Sequence, residues 1–237
     1  MLTHEVTLFE VDLFAHLRPS YLLRYALQAC SVQLIEEGSA ARVASGLQNR
    51  TGWMLARLIL EEQKPVFEGD TLEFHCSYRQ QNGAAYLREL HVLRAGEEVA
   101  TCRMLWMLVD LDARRILRPK ELEPLFEGIP AAENIAPVPR VTLPKELPMQ
   151  KSHRVLFSEC DKNGHYSSPN YIDLICDVFD FWKDGEKHFR SLEIEYHSEF
   201  LPEEEIELLG ENADGCITVR GQHTDGKIGF AAILKTE

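Results

Sequence analysis

The chain has 237 residues, of which 45% are hydrophobic and 27% charged, and its formal net charge is −13. This composition is typical of a globular protein with a substantial core, and the length suits two domains of about 100–120 residues each. The excess of negative charge argues against nucleic acid or anionic lipid as a partner, because both bind basic surfaces.

The first half of the sequence predicts a strand, a helix and then four more strands. Pro19 opens the helix, in which Leu22, Tyr25 and Ala29 recur every three or four residues, and Gly38 ends it. Alternating segments rich in β-branched and aromatic residues predict the strands. These strands are expected at residues 4–11, 53–61, 70–79, 84–94 and 99–109.

The second half repeats this order. Ser168 and Pro169 predict a helix start, with the serine as N-cap and the proline at the first helical position. Tyr171 and Ile172 begin the apolar face of this helix, and Gly185 is expected to end it. The strands of this half are expected at residues 153–159, 191–200, 204–209, 216–223 and 228–234.

The repeated order of one helix and several antiparallel strands predicts the α+β class, with each helix buried against a curved sheet. Seven of the eleven prolines lie in residues 119–148, and proline neither extends a helix nor joins a sheet interior. We therefore expect an N-terminal domain at 1–118, a proline-rich linker at 119–148 and a C-terminal domain at 149–237.

A polar cluster stands immediately before the second helix. Asp161, Asn163 and His165 place an acid, an amide and an imidazole within five residues. The start of a helix offers unpaired N–H groups and partial positive charge, which suits the binding and polarising of a carbonyl group. Asp12 and His16 form a weaker copy without the amide, so we expect a duplicated chain with its chemistry in the second half.

The beginning of the chain has neither the basic and apolar regions of a secretory signal nor the composition of a transit peptide. No stretch approaches the roughly 20 apolar residues of a membrane-spanning helix. The six cysteines form no Cys-x-x-Cys pair and mostly stand among apolar neighbours, which is typical of reduced thiols. A cytoplasmic protein is the expectation.

The loop and the repeat resemble acyl-acyl-carrier-protein thioesterases of the double hotdog fold. The resemblance covers nearly the whole chain and rests on the run Asp161–His165, the strand Leu192–Glu199, and the segments Gly52–Leu55 and Trp106–Pro119. It implies a tandem hotdog, each half a long helix wrapped by a curved antiparallel sheet. The absence of a transit peptide favours the bacterial type over the plastid type.

The same resemblance implies an enzyme that releases free fatty acid from acyl carrier protein and so terminates fatty acid synthesis, without a cofactor. Its catalytic residues fall on Asp161, Asn163, His165 and Glu199. Phe200 stands where plant members often have a cysteine, which disfavours a thiol nucleophile. Two hotdog units in one chain mimic the dimer of single-unit relatives, so both a monomer and a homodimer are compatible.

These residue types suit thioester hydrolysis. Glu199 is the candidate general base for water, and Asn163 and His165 are candidate donors to the carbonyl oxygen. Asp161 is expected to orient His165 or Asn163, with N–H groups of the helix start completing an oxyanion hole. A calcium site is not expected, because the spacing of the loop differs from that of a calcium-binding loop.

Two alternatives remain open from the residues alone. The first is the same hydrolysis on acyl-CoA, since nothing in the sequence separates the two carriers. The second is a catalytically silent acyl-binding module, in which the polar loop only caps a helix.

Substrate contacts are less sharply indicated. The resemblance implies an acyl pocket in the N-terminal half, for which the candidates are Leu22, Tyr25, Ala29, Trp53 and Met54, although core and pocket walls have the same apolar pattern. The densest basic cluster is a candidate docking site for the acidic carrier protein. It comprises Arg114, Arg115, Arg118 and Lys120, and a rival patch comprises Lys183, Lys187 and Arg190.

Overall fold

The computed structural model describes residues 1–38, 51–123, 126–183 and 188–237. The first half contains strands β1 (Leu2–Glu5), β2 (Thr51–Glu62), β3 (Thr71–Cys76), β4 (Gln80–Asn82), β5 (Ala85–Arg94), β6 (Glu97–Asp110) and β7 (Arg115–Ile116), with helix α1 (Pro19–Glu36) between β1 and β2. A one-turn helix α2 (Pro119–Leu122) follows. The second half contains β8 (Met149–Arg154), helix α3 (Asn170–Val178), β9 (Phe189–Tyr196), β10 (Glu205–Ala213), β11 (Cys216–Gln222) and β12 (Ile228–Thr236).

The strands form one antiparallel sheet that runs through both halves. Its order is β1-β3-β5-β6-β2-β9-β12-β11-β10-β8, with β4 beside β5 and β7 beside β6. The halves meet where β2 pairs with β9, in a register that places Leu58 opposite Ile194. Because both residues are almost fully buried, the hydrophobic core continues across the junction.

The two main helices lie on the inner face of this curved sheet, as the α+β prediction requires. Leu22, Leu23 and Ala26 of α1 are fully buried, and so are Ile172 and Ile175 of α3. They belong to a single apolar cluster with the inner-facing residues of the strands. Each helix therefore contributes one apolar face to a shared core.

The proline-rich segment between the halves packs on the sheet. Leu122, Phe126 and Ile129 cluster with Tyr86 and Leu108 on the inner face of the sheet, the face that also carries the helices.

The following stretch crosses the outer face of β5 and β6. Ile135 and Val138 cover Leu87 and Leu105 there. Arg57 donates a hydrogen bond to the carbonyl of Val138 over 2.8 Å. This coverage explains why residues of β5 are buried on both faces and do not show a simple alternation of apolar and polar side chains.

Two predicted strands are shorter than expected and end at a turn. The strand predicted at 4–11 is Leu2–Glu5, and the strand predicted at 153–159 is Met149–Arg154 followed by a short 3₁₀ turn at Phe157–Glu159. In each half a carboxylate accepts a backbone N–H three residues earlier, Thr7 to Glu10 at 2.7 Å and Leu156 to Glu159 at 2.8 Å. These contacts turn the chain where apolar residues had suggested an extended strand.

The start of α3 also differs from the expectation. The helix begins at Asn170, and Pro169 occupies the N-cap position with helical φ and ψ angles and no capping side chain. The N–H of Asn170 instead bonds the carbonyl of Ser167 at 2.9 Å, so Ser168 is not the cap. The α-helix ends at Val178, and the predicted end at Gly185 lies outside the described residues.

All six cysteines are free thiols, and Cys30 Sγ lies 3.3 Å from Cys76 Sγ. In the part of the chain that the structure describes, no helix is long and apolar enough to cross a membrane.

Candidate active site

A closed loop between β8 and α3 carries three of the predicted site residues. The N–H of Asp161 bonds the carbonyl of His165 at 2.8 Å, and Cys160 and Tyr166 form a β-bridge at the base of the loop. Asp161 Oδ1 accepts the backbone N–H of Asn163 at 2.7 Å and that of His165 at 3.3 Å. The carboxylate of Asp161 therefore fixes the backbone of the loop.

The side chains of this loop point to two different partners. Asn163 Nδ2 donates to Asp161 Oδ2 over 3.2 Å. His165 Nε2 lies 3.1 Å from Oε2 of Glu199, which follows strand β9. The structure thus brings all four predicted residues together, with Asp161 holding the amide and Glu199 holding the imidazole.

The loop of the first half has the same backbone geometry without the same chemistry. Asp12 Oδ1 accepts the N–H groups of Phe14 at 2.8 Å and His16 at 3.0 Å, and the N–H of Asp12 bonds the carbonyl of His16. The ring of His16 packs against Phe67, with centroids 4.9 Å apart. Phe14 replaces the amide of Asn163, so this copy lacks the second donor.

Each loop is attached to the preceding strand by a histidine and a glutamate that sequence reasoning did not single out. His153 Nε2 lies 2.9 Å from Glu159 Oε2, and His4 Nε2 lies 2.9 Å from Glu10 Oε2. The available signal was the repeat spacing, because His4 and His153 are 149 residues apart and so are Glu10 and Glu159, as are Asp12 and Asp161. These contacts hold the first turn of the loop against β8 and β1.

A second set of contacts missed from the sequence joins the loop to helix α1. Asn170, at the start of α3, donates through Nδ2 to the carbonyl of Glu159 at 2.7 Å. Arg24 Nη2 donates to Oδ1 of the same asparagine at 2.6 Å, and another contact of 3.5 Å joins it to Asp173. Through Asn170, an arginine of the first half thus supports the polar loop of the second half.

Neither nearby thiol nor nearby phenol is suited to act as a base or nucleophile. Burial, together with the adjacent carboxylate of Asp161, raises the pKa of Cys160. Burial, with the carboxylate of Glu199 as the next cause, also raises the pKa of Tyr171 well above its usual value. Both groups therefore favour the protonated form near neutral pH, which does not suit a base or a nucleophile.

A cavity of about 710 Å³ opens beside the loop. Asn163, His165 and Glu199 line one end, which we call the loop end. Trp53 and Met54 of β2 line another part of its wall. A volume of this size is typical of a small-molecule site that encloses most of its ligand.

Three of the five candidate pocket residues lie elsewhere. Leu22 and Ala29 are buried in the core, and Tyr25 stacks on His4 with ring centroids 3.9 Å apart. The cavity is lined on this helix by a different set of residues, which includes Leu27, Gln28, Ser31 and Leu34. The regular apolar stripe of α1 thus marks the core, because it faces the sheet.

The basic cluster lies at the turn between β6 and β7 and in α2. Arg115 is engaged in a two-point contact with Glu121, with distances of 2.9 and 2.6 Å. Arg114 lies within the same turn as Leu111, which lines the cavity. Arg118 and Lys120 follow beyond β7, so only the turn that contains Arg114 is tied to the cavity wall, through Leu111.

No group of three or more histidine, cysteine, aspartate or glutamate side chains in the described residues is arranged to hold a metal ion.

The sequence matches no protein-family model, and no curated protein matches it. Solved structures are similar over its whole length. An acyl-ACP thioesterase from Bacteroides thetaiotaomicron has a TM-score of 0.85 at 18% identity, covering 100% of this chain and 96% of that chain. The 12:0-ACP thioesterase from Umbellularia californica has a TM-score of 0.79 at 16% identity, covering 100% and 94%.

A MaoC-like dehydratase from Phytophthora capsici is also similar, with a TM-score of 0.53 at 11% identity over 78% of this chain and 69% of that chain. Identities this low show a common fold, so the predicted tandem hotdog architecture is confirmed. Since one of these structures is a dehydratase, the fold alone does not decide the chemistry, which must be argued from the site.

Proposed function

We propose that this chain is a thioesterase that hydrolyses fatty acyl-ACP to free fatty acid and acyl carrier protein. The observation that supports this most is the 3.1 Å contact between His165 and Glu199 at the loop end of a 710 Å³ cavity. It places a carboxylate that can take a proton from water beside an imidazole that can position it, and Asn163 at the same end of the cavity can donate to a carbonyl oxygen. The likeness to two acyl-ACP thioesterases agrees with this substrate class.

In the proposed mechanism, Glu199 removes a proton from water as the water oxygen bonds to the carbonyl carbon of the thioester. The developing oxyanion is stabilised by Asn163, whose Nδ2 has one N–H bonded to Asp161 and a second available for the substrate. Collapse of the tetrahedral intermediate breaks the C–S bond. The proton then passes from Glu199 to the leaving thiolate, which restores the carboxylate.

His165 has a positioning role in this scheme. Its Nε2 atom lies within hydrogen-bond distance of Glu199, and its own backbone N–H is held by Asp161. The imidazole therefore fixes the rotamer of the base and places it at the loop end of the cavity. Both side chains are about one-third exposed, so water has access to them.

The acyl chain is proposed to lie in the cavity, where Trp53, Met54 and Leu27 supply apolar contact. The carrier protein is proposed to dock on the nearby basic cluster through Arg114, Arg118 and Lys120. An acidic partner would be attracted there in spite of the overall negative charge of the chain, because screened electrostatic attraction is local.

The test is product release from matched acyl-ACP and acyl-CoA thioesters of stepped chain length, with the unmodified protein beside Glu199→Gln. We expect rapid hydrolysis of the ACP thioesters and a loss of about 100- to 10,000-fold in the variant, which lacks the general base. A clear preference for the CoA thioesters would mean that the substrate is acyl-CoA and not acyl-ACP. Tight acyl binding without turnover of either thioester would identify a binding module and overturn the proposed reaction.

A further inference from the structure

The wall of the cavity away from the loop end contains a buried cation. Arg88 of β5 lines the cavity although it is only 4% exposed. Its Nη2 donates to Glu37 Oε1 at 2.9 Å, and its Nη1 donates to the carbonyl of Ser77 at 3.0 Å. A guanidinium so firmly held presents a fixed donor group to whatever fills this part of the cavity.

The same wall contains an indole N–H without a partner. Trp106 of β6 lines the cavity, and its Nε1 atom is buried with no hydrogen-bond acceptor among the described residues. Trp106 pairs with Tyr86, two residues before Arg88 on β5. Trp106 and Arg88 are therefore diagonal neighbours on one sheet face, where side chains lie about 7–8 Å apart. We call these two residues the far wall.

The far wall is well separated from the reacting groups. In the sheet order β5-β6-β2-β9, three strand spacings lie between the strand of Arg88 and β9, whose end leads into Glu199. At about 4.8 Å per spacing this is about 14 Å across the sheet. An acyl group that enters at the loop end thus reaches these donors only with its distant end.

We infer that the acyl chain taken by this cavity carries an oxygen function, a hydroxyl or keto group, at the end remote from the thioester. This inference rests on the proposed function and narrows its substrate class. The oxygen would accept the Trp106 N–H and lie beside the Arg88 guanidinium. A plain methyl end would leave the buried indole N–H unpaired.

The experiment measures binding without turnover. Isothermal titration compares free ω-hydroxy fatty acids with plain fatty acids of the same length on the unmodified protein, Trp106→Phe and Trp53→Phe. The first variant removes the unpaired donor and keeps an aromatic ring. The second is the matched control, because Trp53 also lines the cavity but its indole N–H is not among the buried groups without a partner.

We expect the unmodified protein to bind the hydroxylated acid about tenfold more tightly than the plain acid. Trp106→Phe should abolish this preference and Trp53→Phe should keep it. Equal or weaker binding of the hydroxylated acid, binding of neither acid, or an unchanged preference in Trp106→Phe would overturn the inference. If the unmodified protein prefers the hydroxylated acid but hydrolyses no thioester, the proposed function alone would be overturned.

Discussion

Oε2 of Glu199 lies 3.1 Å from Nε2 of His165, although 34 residues of chain, including helix α3 and strand β9, separate the two. The contact depends on a loop whose backbone is fixed by Asp161 and on a strand whose end leads into the glutamate. In the first half the equivalent histidine, His16, packs on Phe67. The pair of loops therefore offers an internal control for the proposed chemistry.

The first prediction compares the two histidines. His165→Ala should lower kcat for acyl-ACP by about 100-fold or more, because the carboxylate of Glu199 loses the group that positions it. His16→Ala should leave kcat within about twofold, since its ring contacts other aromatic rings and no catalytic group. Steady-state kinetics of the two variants decide this. Equal losses in both would show that the histidines support the fold and not the reaction.

The second prediction concerns the arginine that reaches across from the first half. Arg24→Ala should lower kcat by about tenfold with little change in KM, because Asn170 loses its 2.6 Å contact and the loop start becomes less well placed. Asp173→Asn is the control, since it removes only the charge at the longer 3.5 Å contact. A rise in KM with unchanged kcat in Arg24→Ala would point to substrate binding instead of loop support.

The third prediction addresses carrier docking. The double variant Arg114→Glu and Lys120→Glu should raise KM for acyl-ACP about tenfold at low salt and leave kcat nearly unchanged, with the difference shrinking as salt screens the charges. Arg115 is left intact because it is paired with Glu121. Lys183→Glu tests the rival patch in the same assay. If Lys183→Glu alone raises KM, docking belongs to that surface.

The fourth prediction uses a buried carboxyl group. Burial raises the pKa of Glu62 to about 8, against the ordinary value of 4.5. The folded state thus favours the protonated carboxyl of Glu62. The contribution of this group to the free energy of unfolding is fully present below pH 4.5 and is lost as the pH rises toward 8. Urea unfolding should show that the free energy of unfolding is lower by a few kcal/mol at about pH 9 than at about pH 5.

Glu62→Gln should remove this part of the pH dependence, because the amide does not titrate. Glu61→Gln is the matched control on the adjacent residue, whose side chain is 45% exposed. A pH dependence that is the same in Glu62→Gln and the unmodified protein would contradict the assignment to Glu62.

Periodicity and turn residues predicted the helix–strand order, and the resemblance, which rests on the Asp-x-Asn-x-His loop and the strand that leads to Glu199, predicted which residues come together. The helical repeat of Leu22 and Ala29 correctly indicated an apolar face, but that face packs on the sheet. The wall of the cavity uses the neighbouring face, which contains Gln28 and Ser31. A mixed polar and apolar face gives no periodic signal, so sequence alone could not separate the cavity from the core.

The supporting contacts were harder to predict for a similar reason. His153 and Glu159 lie six residues apart, on a strand and a turn, and only their recurrence 149 residues after His4 and Glu10 distinguishes them in the sequence. Arg24 and Asn170 are separated by 146 residues and meet only because α1 and α3 pack together. Such pairs follow from the tertiary arrangement and leave no trace in local sequence preference.

The contact between Arg24 and Asp173 makes the two halves of the chain complementary to each other. The two residues occupy equivalent positions of the repeat, since they are 149 residues apart, as are Asp12 and Asp161. In a symmetric dimer of identical chains, a residue at the two-fold axis faces its own copy. Two copies of the first half would oppose arginine to arginine, and two copies of the second half aspartate to aspartate. In a chain that contains both halves, opposite charges meet at these equivalent positions, so the two halves are not interchangeable at this contact.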